Sequence, residues 1–304
     1  PPFVSSVVPP NILILMDNSG SMGLRAYCGT PTLSGNNATC DGAFAAATTY
    51  TGMFDQTKCY TYDATNTRFE VSALTTKTVI NTACGDTEWD GNFLNYVSLR
   101  RFDAVKKAMI GGSCLLARGA DASCPTGGTP AKITYKAQKA FSSSACCING
   151  ATPAVPNDAT ANGTVGRIPT TVRTAGSTPA SLFFIVRGNP TPLAGFFCVG
   201  EAATFPASGC NASGGSGFTE QEFAIHIVVD SESAGVAQDL GDKARFGLME
   251  FKGNDGIKVL TPIGARQSVD FSSTSAVTYN TNKAALIAAV EGSFPATNTP
   301  LGES

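Results

Sequence analysis

Ten cysteines constrain this 304-residue chain more than any other feature. Their number is even, no C-x-x-C pair occurs, and the single histidine is His226. Zinc ribbons, thioredoxin-like redox sites and multi-histidine metal centres are excluded, because each needs ligands at spacings the chain lacks. Disulfides formed in an oxidising compartment are the expected state. Cys28, Cys40, Cys59 and Cys84 lie in one stretch, and Cys114, Cys124, Cys146, Cys147, Cys198 and Cys210 in another. Four cysteines pair in three ways and six in fifteen, so the connectivity stays open. Each bridge is expected to add ~2–4 kcal/mol by restricting the unfolded chain. Stretches so poor in apolar periodicity need that support.

The cysteine-free segments carry the periodic signals. Asn11 to Met16 (NILILM) is a short apolar run between Pro10 and Asp17-Asn18-Ser19-Gly20, and is expected to be a strand buried on both faces. Phe93, Leu94, Val97, Phe102, Val105 and Met109 recur at helical spacing within 92–112, and Gly111-Gly112 is the expected stop. Ser181 to Arg187 is a candidate local strand. Glu222 to Asp230 and Ala244 to Phe251 read as strands, with Ile257 to Ile263 as a hairpin partner after a turn at 253–256. Asn282 to Glu291 reads as a helix, and Thr299-Pro300-Leu301 as the first turn of another. Strands alternating with helices imply an α/β sheet with helices on its faces. The expected organisation is one domain over 1–304, with its core in 11–22, 92–112 and 222–304. Two cysteine-stapled irregular insertions occupy 23–91 and 113–221.

Charge narrows the partners. Lys plus Arg number 21 and Asp plus Glu 23, a net charge of −2, so no basic excess exists to neutralise phosphates and no nucleic-acid partner is expected. Charged residues are only 14% of the chain while hydrophobic residues are 42%, the texture of a loop-rich exported protein with a real core. The longest apolar runs are far short of the ~20 residues that span a bilayer, so no membrane span is expected. No leader is visible at Pro1, and an exported chain would already be processed.

The chemistry concentrates where the first strand ends. Asp17-Asn18-Ser19-Gly20-Ser21 is a D-x-S-x-S arrangement. Alternate spacing in a tight loop aims one carboxylate and two hydroxyls at one point, beyond the carboxyl end of a strand, where open α/β sheets bind ligands. Hard oxygen donors suit Mg²⁺, Ca²⁺ or Mn²⁺. The same residues are also ordinary turn and cap formers. Other candidates are weaker. Ser19 or Ser21 as a hydrolase nucleophile needs a base, and His226 sits inside an apolar strand pattern where a packed histidine is expected. Asp230, Glu232, Asp239 and Asp242 read as a solvated acidic loop, and Trp89 as packing at a helix start. No catalytic residue is assigned, and no enzymatic activity is expected.

A buried strand ending in DNSGSM, followed far downstream by ATNTPLG, resembles a von Willebrand factor A domain. Asp90 to Gly112, Gly241 to Phe251 and Thr297 to Glu303 narrow the resemblance to PilY-type proteins, the tip-associated adhesins and assembly factors of bacterial type IV pili. The resemblance implies a Rossmann-like open sheet with helices on both faces and a metal-ion-dependent adhesion site (MIDAS). Asp17, Ser19 and Ser21 match its first motif and Thr299 its second. The family's third site residue, an aspartate after the fourth strand, has no counterpart before Ser304, so the chain is expected to be a truncated piece of a larger protein. The implied function is a secreted cell-surface module at a pilus tip, active in adhesion and pilus biogenesis. Its implied partners are minor pilins, the remaining C-terminal part of the protein, and a host or surface ligand whose carboxylate completes a divalent cation's coordination. The alternative is a structural subunit or priming factor of an extracellular filament with a vestigial metal site.

Overall fold

The computed structural model describes residues 10–23, 26–27, 32–34, 37–39, 44–137, 148–149, 167–169, 171, 182–187, 196–201, 220–241, 244–252, 256–263 and 276–295. The chain enters through β1 (Asn11–Met16), followed by a single 3-10 turn at Gly20–Gly23. Two short strands follow, β2 (Thr32–Ser34) and β3 (Asn37–Thr39). The hairpin β4 (Cys59–Asp63) and β5 (Arg68–Val71) precedes β6 (Trp89–Asp90), which leads directly into helix α1 (Gly91–Ser98) and then α2 (Arg101–Ile110). Next come β7 (Ser113–Cys114), β8 (Thr126–Gly127) and β9 (Lys132–Lys136), then β10 (Ile148–Asn149), β11 (Leu182–Arg187) and β12 (Phe196–Glu201). The C-terminal part runs β13 (Glu220–Ala224), β14 (His226–Val229), helix α3 (Val236–Leu240), β15 (Arg245–Phe251), β16 (Ile257–Thr261) and helix α4 (Ala276–Gly292).

These strands form three sheets. The first has the order β1-β15-β16, with β1 parallel to β15 and β16 antiparallel. The second has the order β6-β4-β5-β14-β9-β7, with β8 on β9. The third has the order β13-β12-β11-β10-β3-β2. The stretch expected to be one strand over 222–230 is divided at Ile225: β13 ends in the third sheet and β14 lies in the second.

Residues 92–112 form two helices, not one. Leu99 and Arg100 are extended, at φ −68, ψ 128 and φ −99, ψ 158. The break lets one stretch serve two cores. In α1, Phe93, Leu94, Tyr96 and Val97 pack into an aromatic core with Phe44, Tyr50, Phe54, Tyr60, Phe69, Trp89 and Phe223. In α2, Phe102 and Ile110 pack with Met16, Phe246, Leu248, Leu286, Ile287 and Val290. A straight helix presents one apolar stripe and could not face both. Gly111 ends α2 in the left-handed conformation at φ 74, the expected stop.

The segments expected to be irregular therefore hold a core of their own. Its rings meet mostly edge to face, as in Trp89–Phe223 at 4.9 Å and Phe54–Phe69 at 5.3 Å, the geometry aromatic quadrupoles favour. Asn92 and Asn95 on α1 satisfy the loop that covers them. Asn92 accepts from Tyr50 N at 2.8 Å, and Asn95 accepts from Phe54 N at 2.9 Å while donating to the carbonyls of Tyr50 and Phe54. Asp90 caps α1, its Oδ1 accepting from Asn92 N at 2.8 Å and Phe93 N at 3.2 Å. Its Oδ2 meets Lys77 Nζ at 3.0 Å and the Arg167 guanidinium, all in the interior. Two disulfides are defined among the described residues. Cys59–Cys84 staples β4 to the segment before β6, and Cys114–Cys124 closes a ten-residue loop after β7. Each pair falls within one of the two cysteine groups.

Strand β1 departs from expectation. Ile12, Ile14 and Met16 pack toward α2 and α4, but Leu13 and Leu15 are 53% and 47% exposed. Burial on both faces is not observed, because the described helices cover only one face of this sheet. Among the described residues β1 pairs with β15 alone.

One side chain ties the two cores together. Arg118, in the Cys114–Cys124 loop, donates to Glu232 Oε1 at 2.6 Å, Glu291 Oε2 at 2.8 Å, and the carbonyls of Ile110, Gly112 and Ala122. Nearby, buried Lys106 of α2 donates to the Glu291 carbonyl at 2.7 Å. Burial pushes its amine down to about 8 from 10.5.

Asp90→Ala removes the cap and strands two buried cations, and is expected to cost about 3–5 kcal/mol in chemical denaturation. Lys106 has the opposite character. Below pH 8 it is charged in both states and the fold bears the full cost of burying that charge. As the pH rises from about 8 to 10.5 the folded protein releases the proton first, so stability rises by up to about 3 kcal/mol. Denaturation midpoints followed over this range should lose that slope in Lys106→Met.

Candidate functional site: the loop after the first strand

The loop leaves β1 at the carboxyl end of the three-stranded sheet. Its position is held by Asn18, 2% exposed, whose side-chain amide bonds both backbone groups of the last residue of β15. Asn18 Nδ2 donates to Phe251 O at 3.2 Å, and Phe251 N donates to Asn18 Oδ1 at 3.1 Å. This amide pair continues the contact between the two segments beyond the β1–β15 ladder, which ends at Met16 and Glu250. Asp17 then bends back, its Oδ1 accepting from Ser19 N at 2.8 Å. Met22 N donates to Ser19 O at 3.0 Å and closes the 3-10 turn. The hydroxyls of Ser19 and Ser21 lie 2.9 Å apart. Ser19 is 1% exposed while Ser21 is open to solvent, so the group runs from the interior to the surface.

Of the four residues expected to form the site, Asp17, Ser19 and Ser21 are therefore brought together. Thr299 lies outside the described residues. One carboxylate and two hydroxyls are hard oxygen donors, the chemistry that Mg²⁺ and Ca²⁺ prefer.

The other sequence candidates are placed elsewhere. His226 is buried in the second sheet, its Nδ1 2.8 Å from the Thr67 carbonyl oxygen. Burial, with Lys136 nearby, lowers its basicity and holds the ring neutral. Trp89 is buried in the aromatic core. Asp230 and Asp239 are exposed, Glu232 is bound to Arg118, and Asp242 lies outside the described residues. Cys114, Cys124 and Glu232 place ligand-type atoms within 4.8 Å of one another. The two sulfurs are joined in a disulfide, and the carboxylate accepts from Arg118 and from Cys124 N, so this group offers no unspent donor set.

Sequence reasoning missed Asn18, which stands at a variable position of the motif. Its signal was faint: an amide flanked by chelating residues at a strand end. Asn18→Ala leaves the Phe251 amide and carbonyl without these partners. It is expected to cost about 1–3 kcal/mol, read by urea denaturation against the parent chain.

Searches of curated proteins and of solved structures return no match to this chain. Residues 41–178 match the family model described as PilY1 homolog, small alpha/beta domain. That range takes in β4 to β9, both helices of the broken pair, both defined disulfides and most of the aromatic core. The stretch similar to the PilY1 homolog small alpha/beta domain thus holds most of an aromatic core of its own and is joined through α2 to the sheet that bears the Asp17–Ser21 loop.

Proposed function

We propose that this protein is a cell-surface module of a type IV pilus tip, acting in adhesion and pilus assembly through a divalent cation held by Asp17, Ser19, Ser21 and Thr299. The PilY1-like domain points to a pilus-associated protein, and the two disulfides fit an oxidising, extracytoplasmic setting. No described helix is long and apolar enough to cross a membrane. The observation that carries the metal reading is the tight turn beyond a strand end in which the Asp17 carboxylate accepts from the Ser19 amide and the Ser19 and Ser21 hydroxyls pair. The β1-β15-β16 order is compatible with part of an open α/β sheet of the von Willebrand factor A kind. In this reading Mg²⁺, Ca²⁺ or Mn²⁺ keeps one coordination position for a carboxylate of the partner, and the protein acts by binding, not by catalysis. Minor pilins and a host or surface ligand are the partners, and the cysteine-stapled loops add recognition surface.

One observation favours a second reading, a structural subunit or priming factor of an extracellular filament. Among the described residues β1 pairs on one edge only and Leu13 and Leu15 on it are exposed, and an unpaired apolar strand is a template for strand addition by a neighbour.

Isothermal titration of the metal-stripped protein with Mg²⁺ and Ca²⁺ separates the two. The adhesion reading expects one ion per chain, with Asp17→Ala weakening it at least about tenfold while the far-ultraviolet spectrum is unchanged. Absence of saturable binding at millimolar concentrations would overturn that reading and leave the filament subunit.

A further inference from the structure

The same end of the three-stranded sheet holds a cleft of about 510 Å³, bounded by β15, β16 and the last turns of α4. Its origin is the small side chains that α4 presents there. Ala288, Ala289 and Gly292 leave space above Leu260 and Phe294 that a leucine-sized residue would fill. The volume lies in the range that takes a ligand or a peptide side chain with its neighbours.

The charges around the cleft are unbalanced. Glu250 is the carboxylate that lines it, and its side chain is 13% exposed. It accepts from Ser293 Oγ at 3.1 Å and stands 4.0 Å from Lys258 Nζ. Against this one engaged carboxylate stand two ammonium groups, exposed Lys252 and Lys258, the latter 58% exposed. Among the described residues that line the cleft the balance is thus basic, in a chain of net charge −2.

Register adds a spacing. Glu250 pairs with Lys258, and Ser293 of the α4 end bonds Glu250, so Lys258 and Leu260, two residues apart, face the cleft side of β16. Among the described residues β16 pairs only with β15. A strand laid on its outer edge would alternate side chains with the same period of two.

We propose that this cleft binds an extended acidic peptide segment, with an apolar side chain on Leu260, Ala288, Ala289 and Phe294 and a carboxylate, two residues away, between Lys252 and Lys258. Backbone pairing to β16 supplies orientation, and the two lysines select the acidic side chain. The site needs no metal; it borders the Asp17–Ser21 loop, because Asn18, which anchors that loop, also lines the cleft, but Asp17, Ser19 and Ser21 do not.

The test is a methyl NMR titration of the whole chain, alanine-labelled and in EDTA, with three blocked peptides. They are Ac-Thr-Phe-Thr-Asp-Thr-NH₂, its Asn counterpart, and Ac-Thr-Phe-Asp-Thr-Thr-NH₂, in which the two side chains point to opposite faces. The first should shift the Ala288 and Ala289 methyls saturably, and the other two should bind at least about tenfold more weakly. Lys252→Glu with Lys258→Glu should cost a similar factor, and Ala288→Leu, which fills the cleft, should abolish binding. Equal binding of the Asp and Asn peptides, saturable shifts elsewhere, or no saturable shift would each overturn the proposal. Should Ala288→Leu disturb α4, the peptide comparison on the unaltered chain still decides. Because EDTA is present throughout, failure here leaves the cation reading standing, and failure of the metal titration leaves this one standing.

Discussion

The small domain depends on one buried carboxylate. Asp90 begins α1, pairs with Lys77 and Arg167, and takes a backbone bond from its own amide to the Arg167 carbonyl at 2.9 Å. Three segments distant in sequence, around residues 77, 90 and 167, are thereby held at one point. The arrangement is stable only as a whole, because each ion has left water and relies on the others for its solvation. Once α1 is started there, Asn92 and Asn95 face the loop over residues 48–54 and satisfy its backbone, which lets that loop be buried at all.

From α1 the structure passes to its second half through the extended pair Leu99 and Arg100. The geometry of that break sets which face of α2 meets the three-stranded sheet, and so where the Asp17–Ser21 loop sits relative to the small domain. Arg118 fixes the joint from the other side. Its planar guanidinium, with five donors in a rigid fork, meets the carbonyl of Ile110 at the end of α2, that of Gly112 just beyond it, and a carboxylate from α4. The loop that carries Arg118 is closed by the Cys114–Cys124 disulfide, so a cysteine pair far from the candidate site contributes to its support.

Much of the C-terminal half was legible because its signals are local. NILILM has only a strand reading between Pro10 and Asp17, the 245–251 and 257–261 strands pair antiparallel as neighbours in sequence, and Gly111 ends a helix in the way its φ requires. Asp17, Ser19 and Ser21 were legible for the same reason, since alternate residues in a tight turn converge by backbone geometry alone. The aromatic core was not legible. Phe44, Tyr50, Phe54, Tyr60, Phe69 and Phe223 occupy loops and short strands, and no period marks them until the chain brings 44 and 223 together.

By itself the sequence determined the disulfide-bearing character of the chain, the α/β alternation and the oxygen-rich loop, because redox chemistry, hydrophobic period and turn chemistry all act within a few residues. Only the tertiary structure decided that the cysteine-rich stretches build a core of their own. It also decided that the 92–112 helix is broken to serve two cores, that Asn18 locks the loop onto β15, and that β1 keeps an apolar face exposed. The reason is the same in each case. These features are contacts between residues far apart in the chain, and packing, not local preference, selects among the arrangements that local preference allows.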